Sequence, residues 1–167
     1  AALTKITTDQ WRAATALAVR EARRRVPGGP LHLVGYSNGG ALALDYALSA
    51  ITDNTLPQAS RVVLMSPQVG ITGAARFAGV AGWPAVFPAF AKAAWLDLLP
   101  EYNPFKYNSF PINAARQSFA MTQFVQRAID DRVADGSIKA MPPVLTFQSV
   151  VDATVDMSAT VTALYNK

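Results

Sequence analysis

Cysteine is absent from this 167-residue chain, and histidine occurs once, at position 32. The first absence excludes disulfide frameworks and thiolate zinc sites; the second excludes a His-rich metal centre, so no metal and no cofactor is expected. Charged residues are few, at 16%, and no run of eighteen apolar residues occurs, so no membrane-spanning helix is expected. The first residues also lack the basic-then-apolar layout of a signal peptide. A chain without cysteine suits either side of a bacterial membrane, which leaves the compartment open. Apolar residues are plentiful, at 51%, enough for one core of ordinary size in a single globular unit.

The net charge of +4 is confined to one segment. Residues 1–30 carry six Lys or Arg against Asp9 and Glu21, whereas residues 31–167 carry nine of each sign. Arg23, Arg24 and Arg25 fall in the expected last turn of a helix, where cations complement the dipole, so they read as a solvated helix end and no nucleic-acid partner is expected. That helix opens with a capping box, Thr7 with Gln10 three places on. Trp11, Ala14, Leu17, Ala18, Ala22 and Val26 then recur at helical spacing until Pro27-Gly28-Gly29-Pro30 ends the run. Its apolar face is expected to pack on a sheet, with Trp11 as a packing contact.

Leu31–Tyr36 reads as an apolar strand, and Ala41–Leu48 as a helix. Between them Gly35, Ser37 and Gly39 make Gly-x-Ser-x-Gly. Such a turn holds its serine in a strained backbone conformation, and a side chain at Gly35 or Gly39 is expected to collide with the adjoining strand or helix. Ser37 is then presented at the strand end over a helix N-terminus, whose unpaired N–H groups and dipole suit a developing oxyanion. The plainer meaning is a Gly-rich β-to-α turn of another parallel-sheet protein. His32 cannot serve Ser37 as a base: five strand residues separate them by roughly 16 Å, so it reads as a strand histidine with a satisfied ring.

Two further strands follow. Arg61–Ser66 is a β-branched apolar run closed by Ser66-Pro67 and expected to be buried; Pro143–Ser149 is the other. Between them, residues 70–140 carry aromatics from Phe77 to Phe124 and prolines at 84, 88, 100, 104 and 111, with Arg116–Ile129 as an amphipathic helix. The stretch is too long for a simple crossover.

The elbow at Ser37 resembles that of the α/β-hydrolase family, and Gly40 extends it to the Gly-x-Ser-x-Gly-Gly form common in esterases and lipases. The resemblance implies an α/β, three-layer fold: a partial α/β-hydrolase parallel sheet with a helical cap insertion, strands 31–36, 61–66 and 143–149 lying side by side in that order. Residues 1–69 and 141–167 would form the core, and residues 70–140 the cap, its aromatics lining an acyl-binding cleft. Asp152, just past the third strand and with Val155 three places on, matches the family's triad acid; Asp156 is the fallback. The family's histidine comes last in the chain, but none stands between Asp152 and Lys167, and the strands that precede the elbow, one of whose loops supplies a second oxyanion N–H, have no counterpart in residues 1–30.

The resemblance therefore implies a serine hydrolase acting on carboxylic esters or thioesters with apolar acyl groups, present here as an incomplete chain. A histidine outside it would deprotonate Ser37, Asp152 would orient that histidine, and the Asn38 N–H would help hold the oxyanion. Residues 1–167 alone are expected to be inactive. The partner is a small acyl ester, and the open edge of strand 31–36 is expected to self-associate. A catalytically inactive binding or scaffolding module is the alternative, and an acyltransferase using the same acyl-serine is a variant of the first reading.

Overall fold

The computed structural model describes residues 4–69, 95–97, 99–100, 102, 109–149 and 157–166. Helix α1 spans Thr8–Arg25 and starts on the expected capping box: Thr7 Oγ1 accepts the Gln10 N–H at 3.3 Å, and Gln10 Oε1 accepts the Thr7 N–H at 3.0 Å. At its other end Arg23 donates to the carbonyls of Pro27 and Gly29, while Arg24 and Arg25 both donate to Glu21. Those two bonds hold the Glu21 carboxyl down at about 2. The basic cluster closes the end of the helix.

Strand β1 (His32–Tyr36) leads into helix α2 (Asn38–Ser49), and β2 (Arg61–Met65) follows. A two-stranded antiparallel pair comes next, β3 (Trp95–Asp97) with β4 (Phe110–Pro111), and then helix α3 (Ile112–Ala134). A 3-10 turn over Ser137–Ala140 precedes β5 (Val144–Phe147), and helix α4 (Met157–Leu164) follows. β1, β2 and β5 form one sheet in that order, all parallel, as expected. Tyr36, Met65 and Phe147 stand level across it, so the three chains leave the sheet at one edge.

Helix α2 carries the core. Ala41, Ala43, Leu44, Tyr46, Ala47 and Leu48 are all buried, because α2 lies between the sheet and the helices α1 and α3. Met121, Val125 and Ile129, spaced four apart on α3, complete the same cluster with Leu33, Val62 and Leu64 from the sheet.

Four expectations need correction. The face expected to bury α1 is exposed, Leu17 and Val26 at 66% and 61%. Its contact stripe instead runs through Thr8, Arg12 and Val19 and meets α2 and α3 rather than the sheet. Polar side chains make that contact: Thr8 bonds Gln117 through both its N–H and its hydroxyl, and Arg12 bonds Asp45 at 2.8 Å. β2 is not buried on both sides. Val62 and Leu64 face the helices, while Met65, with Val34, Tyr36, Leu145 and Phe147, is exposed on the far face, so the described residues supply two of the three layers. The 70–140 segment is not helical throughout, since β3 and β4 pair across a bulge between Trp95 and Asp97. α3 within that segment packs into the main core, and Phe124 on it lies under the guanidinium groups of Arg12 and Arg127, 5.4 and 5.0 Å from the ring centre. Last, His32 lies exposed on the far face and makes no hydrogen bond among the described residues, because that face has no helix over it.

The Arg12–Asp45 pair sits in the α1–α2 contact, with the Asp45 side chain 8% exposed and that of Arg12 37%. Burial pushes the Asp45 carboxyl above its ordinary value, and the bond from Arg12 pulls it part of the way back. Without Arg12 the carboxylate is buried unpaired, so Arg12→Met should cost about 2 kcal/mol at pH 7, the half-exposed arginine reducing the loss expected of a fully buried pair. An acid whose folded pKa is raised favours folding while it is protonated, and that contribution is lost as pH rises from the ordinary carboxylate value through the raised one. The Arg12→Met deficit should therefore shrink toward pH 4. Urea denaturation of both proteins at pH 4 and pH 7 checks this; a deficit equal at both pH values contradicts it.

Candidate active site at the exit of strand β1

The turn between β1 and α2 is fixed by sterics. A Cβ on Gly35 would lie 2.4 Å from the Gly39 carbonyl oxygen and 2.6 Å from the Gly40 Cα, both backbone atoms that cannot swing aside. A Cβ on Gly40 would lie 2.7 Å from the Pro67 Cβ. Gly39 differs from expectation, because a side chain there meets nothing within 4 Å. The two tight glycines are thus Gly35 and Gly40, one letting α2 press on β1 and the other letting it press on the exit of β2.

Ser37 stands at the apex with φ 52° and ψ −122°, outside every region a serine ordinarily occupies. Three backbone bonds hold it there. Its N–H donates to the Met65 carbonyl at 3.0 Å, and its own carbonyl accepts from Gly40 at 3.0 Å and Gln68 at 3.1 Å. The side chain caps nothing, and the hydroxyl makes no hydrogen bond among the described residues. Every backbone polar group is engaged while Oγ is left unused. Asn38 opens α2, at a position where an N–H has no acceptor within the helix.

The neighbouring strand exit repeats the pattern. Ser66 follows β2 as Ser37 follows β1, and it too has a positive φ, 42°; these are the two non-glycine residues with positive φ among the described residues. The Ser66 N–H donates to Phe147 at 2.8 Å, tying this exit to that of β5. α3 braces the same loop: Thr122 Oγ1 donates to the Gln68 carbonyl and Gln126 Nε2 to that of Val69. Sequence reasoning treated Ser66 only as a strand end and missed Gln68; the Ser-Pro pair after an apolar strand was the available signal.

Asp152, Val155 and Asp156 lie outside the described residues, as do the aromatics at 77, 83, 87, 90, 105 and 107. β5 ends at the same edge as Ser37, so the chain on which Asp152 stands leaves from that edge. The described residues hold no group of three His, Cys, Asp or Glu able to bind a metal, and no helix among them is long and apolar enough to cross a membrane.

No family model matches the sequence, and neither does any curated protein. Solved structures do. The chain overlays a structure from work on LipS and LipT, two metagenome-derived lipolytic enzymes, with a TM-score of 0.72 at 18% identity, over 98% of this chain and 60% of that one. It is thus similar in fold to a lipolytic enzyme and spans three-fifths of its length. A looser overlay, with a TM-score of 0.49 at 11% identity, covers 90% of this chain and 67% of a monoacylglycerol lipase from Paleococcus ferrophilus.

The glycines give a differential test. Gly35→Ala should destabilise by about 3 kcal/mol or prevent folding, because backbone must move to admit the methyl group. Gly39→Ala, in open space on a helix, should be neutral or stabilise by about 0.5 kcal/mol. Chemical denaturation of the two variants measures both. Equal losses would mean that the turn is not set by the contact with Gly39 and Gly40.

Proposed function

We propose that this chain carries the nucleophile elbow of a serine hydrolase that cleaves carboxylic esters or thioesters with apolar acyl groups through an acyl-Ser37 intermediate. The observation that carries the reading is Ser37 itself: a non-glycine residue held at φ 52° by three backbone bonds, its hydroxyl unused, at the head of a helix. Such strain costs about 1–3 kcal/mol and persists where the surrounding structure over-determines it, a condition met at functional sites. The overlay on a lipolytic enzyme supports the same reading at the level of fold.

In this mechanism Ser37 Oγ attacks the acyl carbon and its proton passes to a histidine that residues 1–167 do not supply. The Asn38 N–H, at the positive end of the α2 dipole, donates to the oxyanion. Collapse of the tetrahedral intermediate expels the alcohol or thiol, which takes the proton from the imidazolium, and water then releases the acid by the reverse sequence. Asp152 would orient that histidine. Residues 70–111 would roof the acyl group, α3 belonging to the core instead.

Without a base the serine retains only binding and partial oxyanion stabilisation, several orders of magnitude below a complete triad. Residues 1–167 alone should hydrolyse p-nitrophenyl butyrate no faster than their Ser37→Ala variant, whereas the full natural protein should lose its activity and its fluorophosphonate labelling with that substitution. Rapid labelling of Ser37 in the isolated chain would contradict the need for an external histidine. Full activity of Ser37→Ala in the natural protein would leave the inactive binding module as the better reading.

We further propose that the isolated chain pairs with a second copy of itself through β1. This strand is an edge of the sheet, its outer backbone groups have no strand beside them, and Val34 at its centre is 63% exposed. Light scattering should report a dimer or larger species, and Val34→Lys, which places a charge on the edge, should return it to monomer. A monomeric wild-type chain at micromolar concentration contradicts the pairing.

A further inference from the structure

Among the described residues, two buried side-chain oxygens beside Ser37 have no donor. Asn38 Oδ1 and Gln68 Oε1 are both inaccessible and unbonded. Asn38 is joined to Ser37 by the peptide bond, and the Gln68 N–H donates to the Ser37 carbonyl at 3.1 Å. Both backbone groups of Gln68 are fixed, since its carbonyl accepts from Thr122 Oγ1 at 3.2 Å. A buried acceptor without a donor is costly and uncommon. Two of them on the residues bonded to one strained serine, whose own hydroxyl is also unused, describe a place short of donors.

The surroundings divide by polarity. On the far face of the sheet, directly behind the strand exits, Tyr36, Met65 and Phe147 stand in one exposed apolar row. On the helical side, where α3 braces the loop after β2, stand the two amides. An ester at Ser37 with its acyl chain over the apolar row would turn its alcohol part toward the amides.

We infer that Asn38 Oδ1 and Gln68 Oε1 read the leaving group, and that the preferred substrates are esters whose alcohol part carries a hydrogen-bond donor, a free hydroxyl or an N–H. This rests on the serine-hydrolase reading of Ser37. Gln68 is on this account a specificity residue: its acceptor is satisfied only when the donor arrives, and an alcohol part without one leaves it buried and unpaired.

The test uses the full natural protein and two esters of one fatty acid, the 2-hydroxyethyl and the propyl ester, alike in size and different in one donor. The ratio of their kcat/KM values, taken on a single sample, is independent of how much of it is folded. It should favour the hydroxyethyl ester by about tenfold to hundredfold. Gln68→Met should bring the ratio toward one, and Gln68→Glu, which restores an acceptor, should recover it. A ratio near one in the wild type, or one that Gln68→Met leaves unchanged, overturns the inference while Ser37→Ala still abolishes hydrolysis. A protein that leaves both esters intact, or hydrolyses them equally well as Ser37→Ala, overturns the serine reading and the inference with it.

Discussion

The contact on which the rest of this structure depends is the one between the first turn of α2 and the two strand exits beneath it. Gly35 and Gly40 each lack a Cβ where one would lie within 2.7 Å of its neighbour, so α2 settles directly onto β1 and onto Pro67. From that seat its remaining length becomes buried almost all round, which is why its sequence is Ala-rich and apolar rather than amphipathic. Small side chains at Ala41, Ala43 and Ala47 admit close neighbours, and Leu44 and Leu48 fill what is left. α1 and α3 then pack against a helix whose position is already determined.

The same contact accounts for the strain. A chain that must leave β1 and enter α2 without clearance cannot relax through ordinary φ values, and Ser37 absorbs the reversal. Hydrogen bonds to Met65, Gly40 and Gln68 offset the cost by satisfying both of its backbone groups. Ser66 absorbs a second reversal one strand over, anchored to Phe147. Because the two reversals are linked through Gln68 and braced by Thr122 and Gln126 of α3, the site edge is one cross-tied unit. A hydroxyl mounted on it is positioned by the backbone and needs no side-chain partner to orient it.

What could be read from the sequence was local. The capping box at Thr7, the strand–turn–helix at Ser37 and the three parallel strands were each written in a few adjacent residues, and the order of the strands followed from their connections. What could not be read was which surface meets which. In α1 the apolar periodicity rested on alanines with little area to bury, so the contact was decided by specific bonds, Thr8 to Gln117 and Arg12 to Asp45, between partners 109 and 33 residues apart. Gly39 was taken for a tight position because it stands in the motif, whereas the tight one is Gly40; only the placement of Pro67 distinguishes them. Ser66 and Gln68 carried too little pattern to be singled out, since their importance comes from the register that sets them beside Ser37.

One-sided coverage of the sheet is the last consequence of the chain's make-up. Purely parallel sheets are ordinarily covered on both faces, because their strands are apolar on both. Here β1, β2 and β5 are apolar on both: Leu33, Val62 and Leu64 face α2, while Val34, Tyr36, Met65, Leu145 and Phe147 face away and are exposed. Five large apolar side chains in register do not arise on a face selected for contact with water, where an alternating strand would carry polar residues. The overlay on a longer lipolytic enzyme, three-fifths of which this chain spans, is consistent with a face shaped for a covering layer. The residues that fix Ser37 all lie on the covered side, so the site's backbone geometry is complete without that layer, even though the sheet is not.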